Sequence, residues 1–81
     1  MNTDKLKSLA LSDTGFLFDP VSGSTFTMNE TGVRILSSLK AGKSREETVM
    51  EIMSHYDVEK EDADRDYSDF LVQLNQLGLV E

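Results

Sequence analysis

The chain has 81 residues, no cysteine and a formal net charge of −7 at pH 7. This length fits one domain, residues 1–81, whose compact core leaves no room for a deep catalytic cavity. The lack of cysteine excludes disulfides and thiolate metal sites, and no apolar run approaches the roughly 18 residues of a membrane span. We therefore expect a cytoplasmic protein with no membrane segment. Seven acidic and two basic residues between Asp57 and Asp69 contribute −5 of the charge, which disfavours nucleic acid as a partner.

Two segments near the start of the chain are predicted to form short β-strands. Lys5–Leu11 alternates Leu9 and Leu11 with polar or small residues. Gly15–Asp19 contains the apolar run Phe16-Leu17-Phe18, which suits a strand with both faces partly covered. The pattern thus predicts a small β region before any helix.

A third strand is predicted over Ser24–Met28. Pro20 and Gly23 precede it and supply the fixed and the permissive backbone that a turn requires. Alternation puts two apolar side chains on one face of this strand and two threonines on the other: Phe26 and Met28, then Thr25 and Thr27. The second and third strands should therefore form an antiparallel hairpin.

From Asn29 onward the apolar period changes to that of helices. Asn29 is a good N-cap for a first helix, which Gly42 should end. Ser44 and Glu47 form a capping box at the start of a second helix. A third helix is predicted over Glu61–Leu77, where apolar residues recur at helical spacing: Ala63, Tyr67, Phe70, Leu71, Leu74 and Leu77.

The predicted element order is βββααα, an α+β fold in which a three-stranded antiparallel sheet precedes three helices. Two short helices followed by a longer one, with a β-ribbon attached, are typical of a winged helix-turn-helix. We expect the helices to supply most of the core.

Groups that carry catalysis or bind metals are not combined in any usual arrangement. His55 is the only histidine and lacks the partners that a general base or a metal ligand needs. Three alternate aspartates resemble a calcium loop, but Tyr67 replaces the glycine at the turn and Gln73 the bidentate glutamate; they are Asp62, Asp64 and Asp66. We expect no enzyme activity, no metal and no cofactor.

The third strand raises the question of what covers its open edge. Proteins usually protect such an edge with charge, proline or a bulge, and Ser24–Met28 contains neither charge nor proline. One interpretation is that the strand is too short to need protection or that the third helix covers it. The other is that an extended peptide adds to the edge as a further strand.

Five short motifs follow one another in order between Gly15 and Val80. They are Met28-Asn29 before the first helix, Gly42 at its end, Tyr56-Asp57-Val58, Asp66 early in the last helix, and the closing Gly78-Leu79-Val80. In their order and spacing these motifs resemble those of the PqqD family of small peptide chaperones. Two residues depart from the family pattern: Gly32, where alanine or another small residue is common, and Met28, where leucine is usual.

The resemblance implies a winged-helix-like RiPP recognition element. Such a domain binds the leader of a ribosomally made precursor peptide and presents it to a modifying enzyme, often a radical SAM protein. The leader adds antiparallel to the third strand, beside the third helix. The implied peptide-binding residues are Ser24, Thr25, Phe26, Thr27 and Met28 of the strand, with Asp64, Tyr67, Leu71 and Leu74 of the helix.

Some of these helix residues also fit a different role. Leu74 is central in the apolar stripe and is better explained as core, whereas Tyr67 and Leu71 suit either role. If the peptide groove uses the opposite flank of the helix, Asp66 and Phe70 replace them.

Two other functions stay open at this point. A winged-helix DNA-binding regulator would need a basic surface, and the candidates are Lys40, Lys43 and Arg45. An adaptor that pairs identical edge strands in a weak homodimer would also explain the uncharged edge.

Overall fold

The computed structural model describes residues 4–80 and has the predicted βββααα order. Its sheet is antiparallel, with strand order β1-β2-β3. The elements are a 3-10 helix Asp4–Ser8, β1 Ala10–Leu11, β2 Phe16–Phe18, β3 Thr25–Thr27, α1 Glu30–Lys40, α2 Arg45–His55 and α3 Lys60–Gln76. The α+β prediction is therefore confirmed.

The segment Lys5–Leu11 is a strand only at its end, so the prediction of a strand throughout was wrong. Leu6 and Leu9, spaced i, i+3, are both buried, a spacing that a 3-10 turn satisfies and a strand does not. The Leu9 carbonyl accepts a 2.7 Å hydrogen bond from Nζ of Lys40. Strand pairing begins one residue later, where Ala10 lies opposite Phe18.

The β2–β3 hairpin is closed by the predicted turn, and Asp19 holds it together. The Asp19 carboxylate accepts hydrogen bonds from the Val21 backbone at 2.9 Å and from the Ser22 hydroxyl at 3.0 Å. The Asp19 carbonyl accepts a further bond, 2.7 Å long, from the Gly23 amide. The carboxylate therefore fixes the start of β3 relative to β2.

Local capping sets the ends of the helices as the sequence predicts. Oδ1 of Asn29 accepts the Gly32 amide at 2.8 Å, and Ser44 and Glu47 form the reciprocal capping box of α2. Gly42 and Gly78 follow α1 and α3 with φ values of +77° and +75°, as left-handed C-terminal glycines do. These contacts fix the starts of α1 and α2 and the ends of α1 and α3, whereas Glu59 at the start of α3 makes no side-chain capping bond.

The core lies between the helices and one face of the sheet. Leu17 of β2 is fully buried there together with Ile35 of α1, Ile52 of α2 and Leu74 of α3. The two neighbours of Leu17 in β2 point the other way and are exposed. No helix within residues 4–80 is long and apolar enough to cross a membrane.

Candidate functional site

Within residues 4–80, the backbone of β3 is paired with β2 on one side and with no other strand on its second side. The Met28 amide donates to the Gly15 carbonyl at 2.8 Å, and the Asp19 amide donates to the Ser24 carbonyl at 2.9 Å. Because hydrogen-bonded pairs alternate along an antiparallel ladder, the residues of β3 that bond to β2 are Ser24, Phe26 and Met28. The N–H and C=O groups of Thr25 and Thr27 therefore point away from β2, toward the open edge.

The side chains of β3 divide between its two faces as predicted. Phe26 and Met28 are partly buried and pack against the core, whereas Thr25 and Thr27 are exposed. Polar side chains thus flank the free backbone groups on the outer face. Ser24–Met28 itself carries no charged side chain.

A shallow groove lies at the end of β3, between the start of α1 and α3. It has a volume of about 220 Å³, and its floor combines the small Gly32 with the ring of Phe70. Two acidic groups border it on the α3 side, and its polar rim comes from α1 and α3. The lining residues are Asn29, Thr31, Gly32, Ile35, Asp66, Asp69, Phe70 and Gln73.

The opposite flank of α3 is occupied by contacts with α2. The guanidinium of Arg45 lies 4.9 Å from the centre of the Tyr67 ring and donates to the Asp64 carbonyl at 3.0 Å and to the Ser68 hydroxyl at 2.6 Å. Burial raises the pKa of the Tyr67 phenol, although Arg45 opposes this. This flank therefore fastens α3 to α2.

The carboxylate of Asp64 is also engaged on this flank. A 3.2 Å hydrogen bond from Nζ of Lys60 is the main cause that lowers the Asp64 pKa, and Arg45 adds to it. Tyr67 is 4% and Leu74 0% exposed, and Leu71 is partly buried against the core. Asp64 and Tyr67 thus meet Arg45 of α2, whereas Asp66 and Phe70 meet the groove.

The basic residues that would serve a DNA-binding surface are tied to other parts of the protein. Lys40 bonds to the Leu9 carbonyl, and Nζ of Lys43 lies 3.1 Å from Oε2 of Glu51. That bond is the main cause that lowers the Glu51 pKa. Arg45 is held on α3. A DNA phosphate would have to displace each of these contacts, which disfavours the DNA-binding alternative.

Comparison with known proteins gives the family. The family model described as "Coenzyme PQQ synthesis protein D (PqqD)" matches residues 14–80. The chain belongs to the PqqD family. The resemblance read from its motifs is thereby confirmed, and the match covers β2, β3, all three helices and the groove. No curated protein matches the chain at a significant level.

Two solved structures resemble this PqqD-family chain. One is described as "TbiB1 in Complex with the TbiA(beta) Leader Peptide", with 35% sequence identity, a TM-score of 0.78, and coverage of 90% of this chain and 86% of that one. The other is described as "Lasso peptide synthetase B1 complexed with the leader peptide", with 33% identity, a TM-score of 0.74, and coverage of 88% and 85%. Both structures are described as complexes with a leader peptide.

Sequence reasoning left several groove residues unassigned. Asp69 and Gln73 follow Asp66 at i+3 and i+7, so helical spacing alone puts the three on one flank of α3. Asn29 and Thr31 enter the groove because α1 starts directly after β3. Nothing in the sequence shows which flank of α3 meets the end of β3, since that depends on how α3 packs against α1 and α2.

Proposed function

We propose that this chain binds the leader of a ribosomally made precursor peptide as a fourth strand on β3. The observation that carries the proposal is the open edge, where Thr25 and Thr27 direct their N–H and C=O groups out of the sheet. An added strand would satisfy these groups, which is how peptide-binding domains of this kind gain affinity. Membership of the PqqD family and the leader peptides named for the two similar structures support it.

The direction of the added strand follows from the sheet to which it adds. All strands of this sheet are antiparallel, and an antiparallel pair is slightly more stable than a parallel one. A guest that runs antiparallel to β3 starts near Thr27 and ends near Thr25. Its N-terminal part therefore reaches the groove at Asn29, and we propose the flank of Asp66 and Phe70 as the wall it meets.

The remaining parts of the proposal concern partners and location. We propose that the domain is not itself an enzyme and that it presents the bound leader to a separate modifying enzyme. A radical SAM protein is the enzyme class that the family resemblance implies. A weak homodimer through β3 would compete with the leader for the same edge, and cytoplasmic location stays a prediction.

An NMR titration tests the site. The isotope-labelled protein is titrated with a synthetic peptide that spans the leader of the precursor gene encoded beside it, and backbone amide shifts are followed. We expect the amide signals of Thr25 and Thr27 to shift. The signals of the groove residues of α3 should shift as well: Asp66, Asp69, Phe70 and Gln73. Larger shifts at Asp64, Ser68 and Leu71 would instead favour the flank that faces α2.

Two controls separate specific binding from general effects. A scrambled peptide of the same composition should leave β3 unshifted. Sedimentation at high protein concentration, with and without the leader, reports whether a homodimer forms and whether the peptide dissociates it. Shifts confined to places remote from β3 and α3 would contradict the proposed site.

A further inference from the structure

The outer face of the sheet carries an exposed aromatic pair. Phe16 and Phe18 lie on the central strand β2 and are 56% and 41% exposed, whereas Leu17 between them is fully buried. The two rings therefore stand next to each other on one face, spaced i, i+2. Contiguous exposed apolar patches, unlike single scattered apolar residues, mark contact surfaces when they are large, and this pair gives the outer face the start of such a patch.

The neighbours of this aromatic pair on the same face are short. Phe16 pairs with Thr27 and Phe18 with Thr25 across the β2–β3 ladder. On the other side Phe18 pairs with Ala10, and Ser12 bonds to the backbone of Phe16. The rings thus rise above a floor of small side chains, and a bulkier group beside them would cover their exposed edges.

The same two threonines carry the free backbone groups of the open edge. In an antiparallel pair, residues opposite each other project their side chains to the same face of the sheet. Guest residues opposite Thr25 and Thr27 would therefore project to the outer face, where the aromatic pair lies. A guest residue opposite Phe26 would project to the inner face.

The spacing of strands permits contact between the guest and the aromatic pair. Neighbouring strands lie about 4.8 Å apart, so a guest strand would lie roughly 10 Å from β2. A threonine side chain covers little of that distance, and aromatic or long side chains reach diagonal neighbours across a sheet. Large guest side chains can thus lie over Thr25 and Thr27 and touch the phenylalanine rings.

We propose that Phe16 and Phe18 are specificity-determining residues for the guest strand, selecting large apolar residues at its two positions opposite Thr27 and Thr25. The inference rests on the proposed strand addition to β3. It assigns the leader a pattern of two large apolar residues spaced i, i+2, which pack on the outer face. The leader residue between these two would contact the inner face of the sheet, and the residues before them would contact the groove.

A double-mutant cycle tests the inference. Affinity for the synthetic leader peptide is measured by calorimetry for the natural chain and for the double variant Phe16→Thr/Phe18→Thr, which retains residues suited to strands. Each leader position is also replaced by alanine. We expect the double variant to bind about tenfold more weakly. Alanine at two leader positions spaced i, i+2 should weaken binding to the natural chain. The same replacements should weaken binding to the double variant much less.

The matched control is Met50→Gln, which removes an apolar side chain that is 60% exposed on α2 and should leave affinity unchanged. Protection of the Thr25 and Thr27 amides on binding reports strand addition separately. If these amides become protected and the double variant binds as tightly as the natural chain, the selection by Phe16 and Phe18 is overturned. The aromatic pair would then be free for a second protein.

The peptide variants keep the test decisive if the double variant folds poorly. An alanine scan of the leader on the natural chain that finds no sensitive pair spaced i, i+2 also overturns the inference. If the leader does not protect Thr25 and Thr27 at all, the proposed function itself fails, and the inference fails with it.

Discussion

A Cβ atom placed on Gly32 would lie 2.9 Å from Cε1 of Phe70. Such a contact is closer than real Cβ atoms make, which explains why this position holds glycine. Glycine weakens the first turn of α1, but it lets α3 bring its aromatic ring against the start of that helix. The floor of the groove therefore depends on the absence of a side chain at residue 32.

We predict that Gly32→Ala lowers the free energy of unfolding by about 1 kcal/mol. The gain in helix propensity is about 0.5–1 kcal/mol, whereas overfilling a packed site costs about 1–3 kcal/mol. Urea unfolding measures the difference. Phe70→Leu removes the ring, the nearest atom to such a Cβ, and leaves Asn29 Oδ1 at 3.3 Å, so Gly32→Ala should cost less in that background than in the natural chain. A stabilising effect in the natural background would show that the ring moves aside at no cost.

Proline at Thr27 should block peptide binding without unfolding the protein. Its missing N–H would be one that makes no bond to β2, and proline is tolerated on edge strands with that side outward. We expect leader affinity to fall about tenfold or more, since one ladder bond is lost and the ring meets the guest. Calorimetry measures binding and circular dichroism checks the fold.

Thr27→Val is the control, because it keeps the N–H and the β-branched shape. It should bind the leader about as tightly as the natural chain. Equal affinity of Thr27→Pro and Thr27→Val would mean that this amide does not bind the guest.

Local signals predicted most of this fold, and packing decided the rest. Helix capping is predicted from sequence because the capping residue and the amide it bonds lie within one helical turn, as they do at Asn29, Ser44 and Glu47. The prediction of a strand over Lys5–Leu11 was wrong because its leucines fit both a strand and a 3-10 turn. The bond from Lys40 to the Leu9 carbonyl joins residues more than thirty positions apart, so no local pattern indicates it.

The candidate site was predictable to a similar extent. The free edge of β3 follows from strand order and from an uncharged sequence. The flank of α3 that lines the groove does not follow from the sequence. Tyr67 is apolar enough to line a groove, but in the structure it is buried in the core, with Arg45 over its ring. The outward position of Phe16 and Phe18 needed the structure as well, since a run of three apolar residues does not reveal which face is covered.

Arg45 should stabilise the contact between α2 and α3 mainly through the planar shape and several N–H donors of its guanidinium, and less through its positive charge alone. Arg45→Ala loses a cation–π contact and its hydrogen bonds to Asp64 and Ser68, so we expect a loss of about 1–2 kcal/mol in unfolding free energy. Arg45→Lys should restore only part, because an ammonium lacks the planar fork. Full rescue by lysine would contradict this account.

The same variants give a spectroscopic signature at Tyr67. Burial raises the pKa of its phenol and Arg45 lowers it, so Arg45→Ala should raise the pKa further. Ultraviolet titration in a Tyr56→Phe background observes a single phenol, since the chain has two tyrosines. An unchanged pKa would place the guanidinium away from the ring.

The β2–β3 hairpin should weaken in acid because of Asp19. Hydrogen bonds from the Val21 amide and from Ser22 lower the Asp19 pKa below its ordinary 3.8. The carboxylate therefore contributes stability above pH 3.8, and this contribution is lost as pH falls through the lower pKa of the folded state. Asp19→Asn should be less stable than the natural chain at neutral pH, with the difference shrinking in acid.

Urea unfolding across this pH range measures the effect. Asp13→Asn makes the same change of charge in the other turn of the sheet and serves as the control. A difference between the natural chain and Asp19→Asn that stays constant with pH would contradict the assignment.

The central claim is that a leader peptide adds as a strand to the free edge of β3, and amide hydrogen exchange tests it most directly. In the free protein the amides of Phe26 and Met28 face β2 and should already exchange slowly, whereas those of Thr25 and Thr27 should exchange fast. With the leader bound, we predict that Thr25 and Thr27 become protected and that Phe26 and Met28 change less. Binding of the leader with Thr25 and Thr27 still exchanging at their free rates would contradict strand addition at this edge.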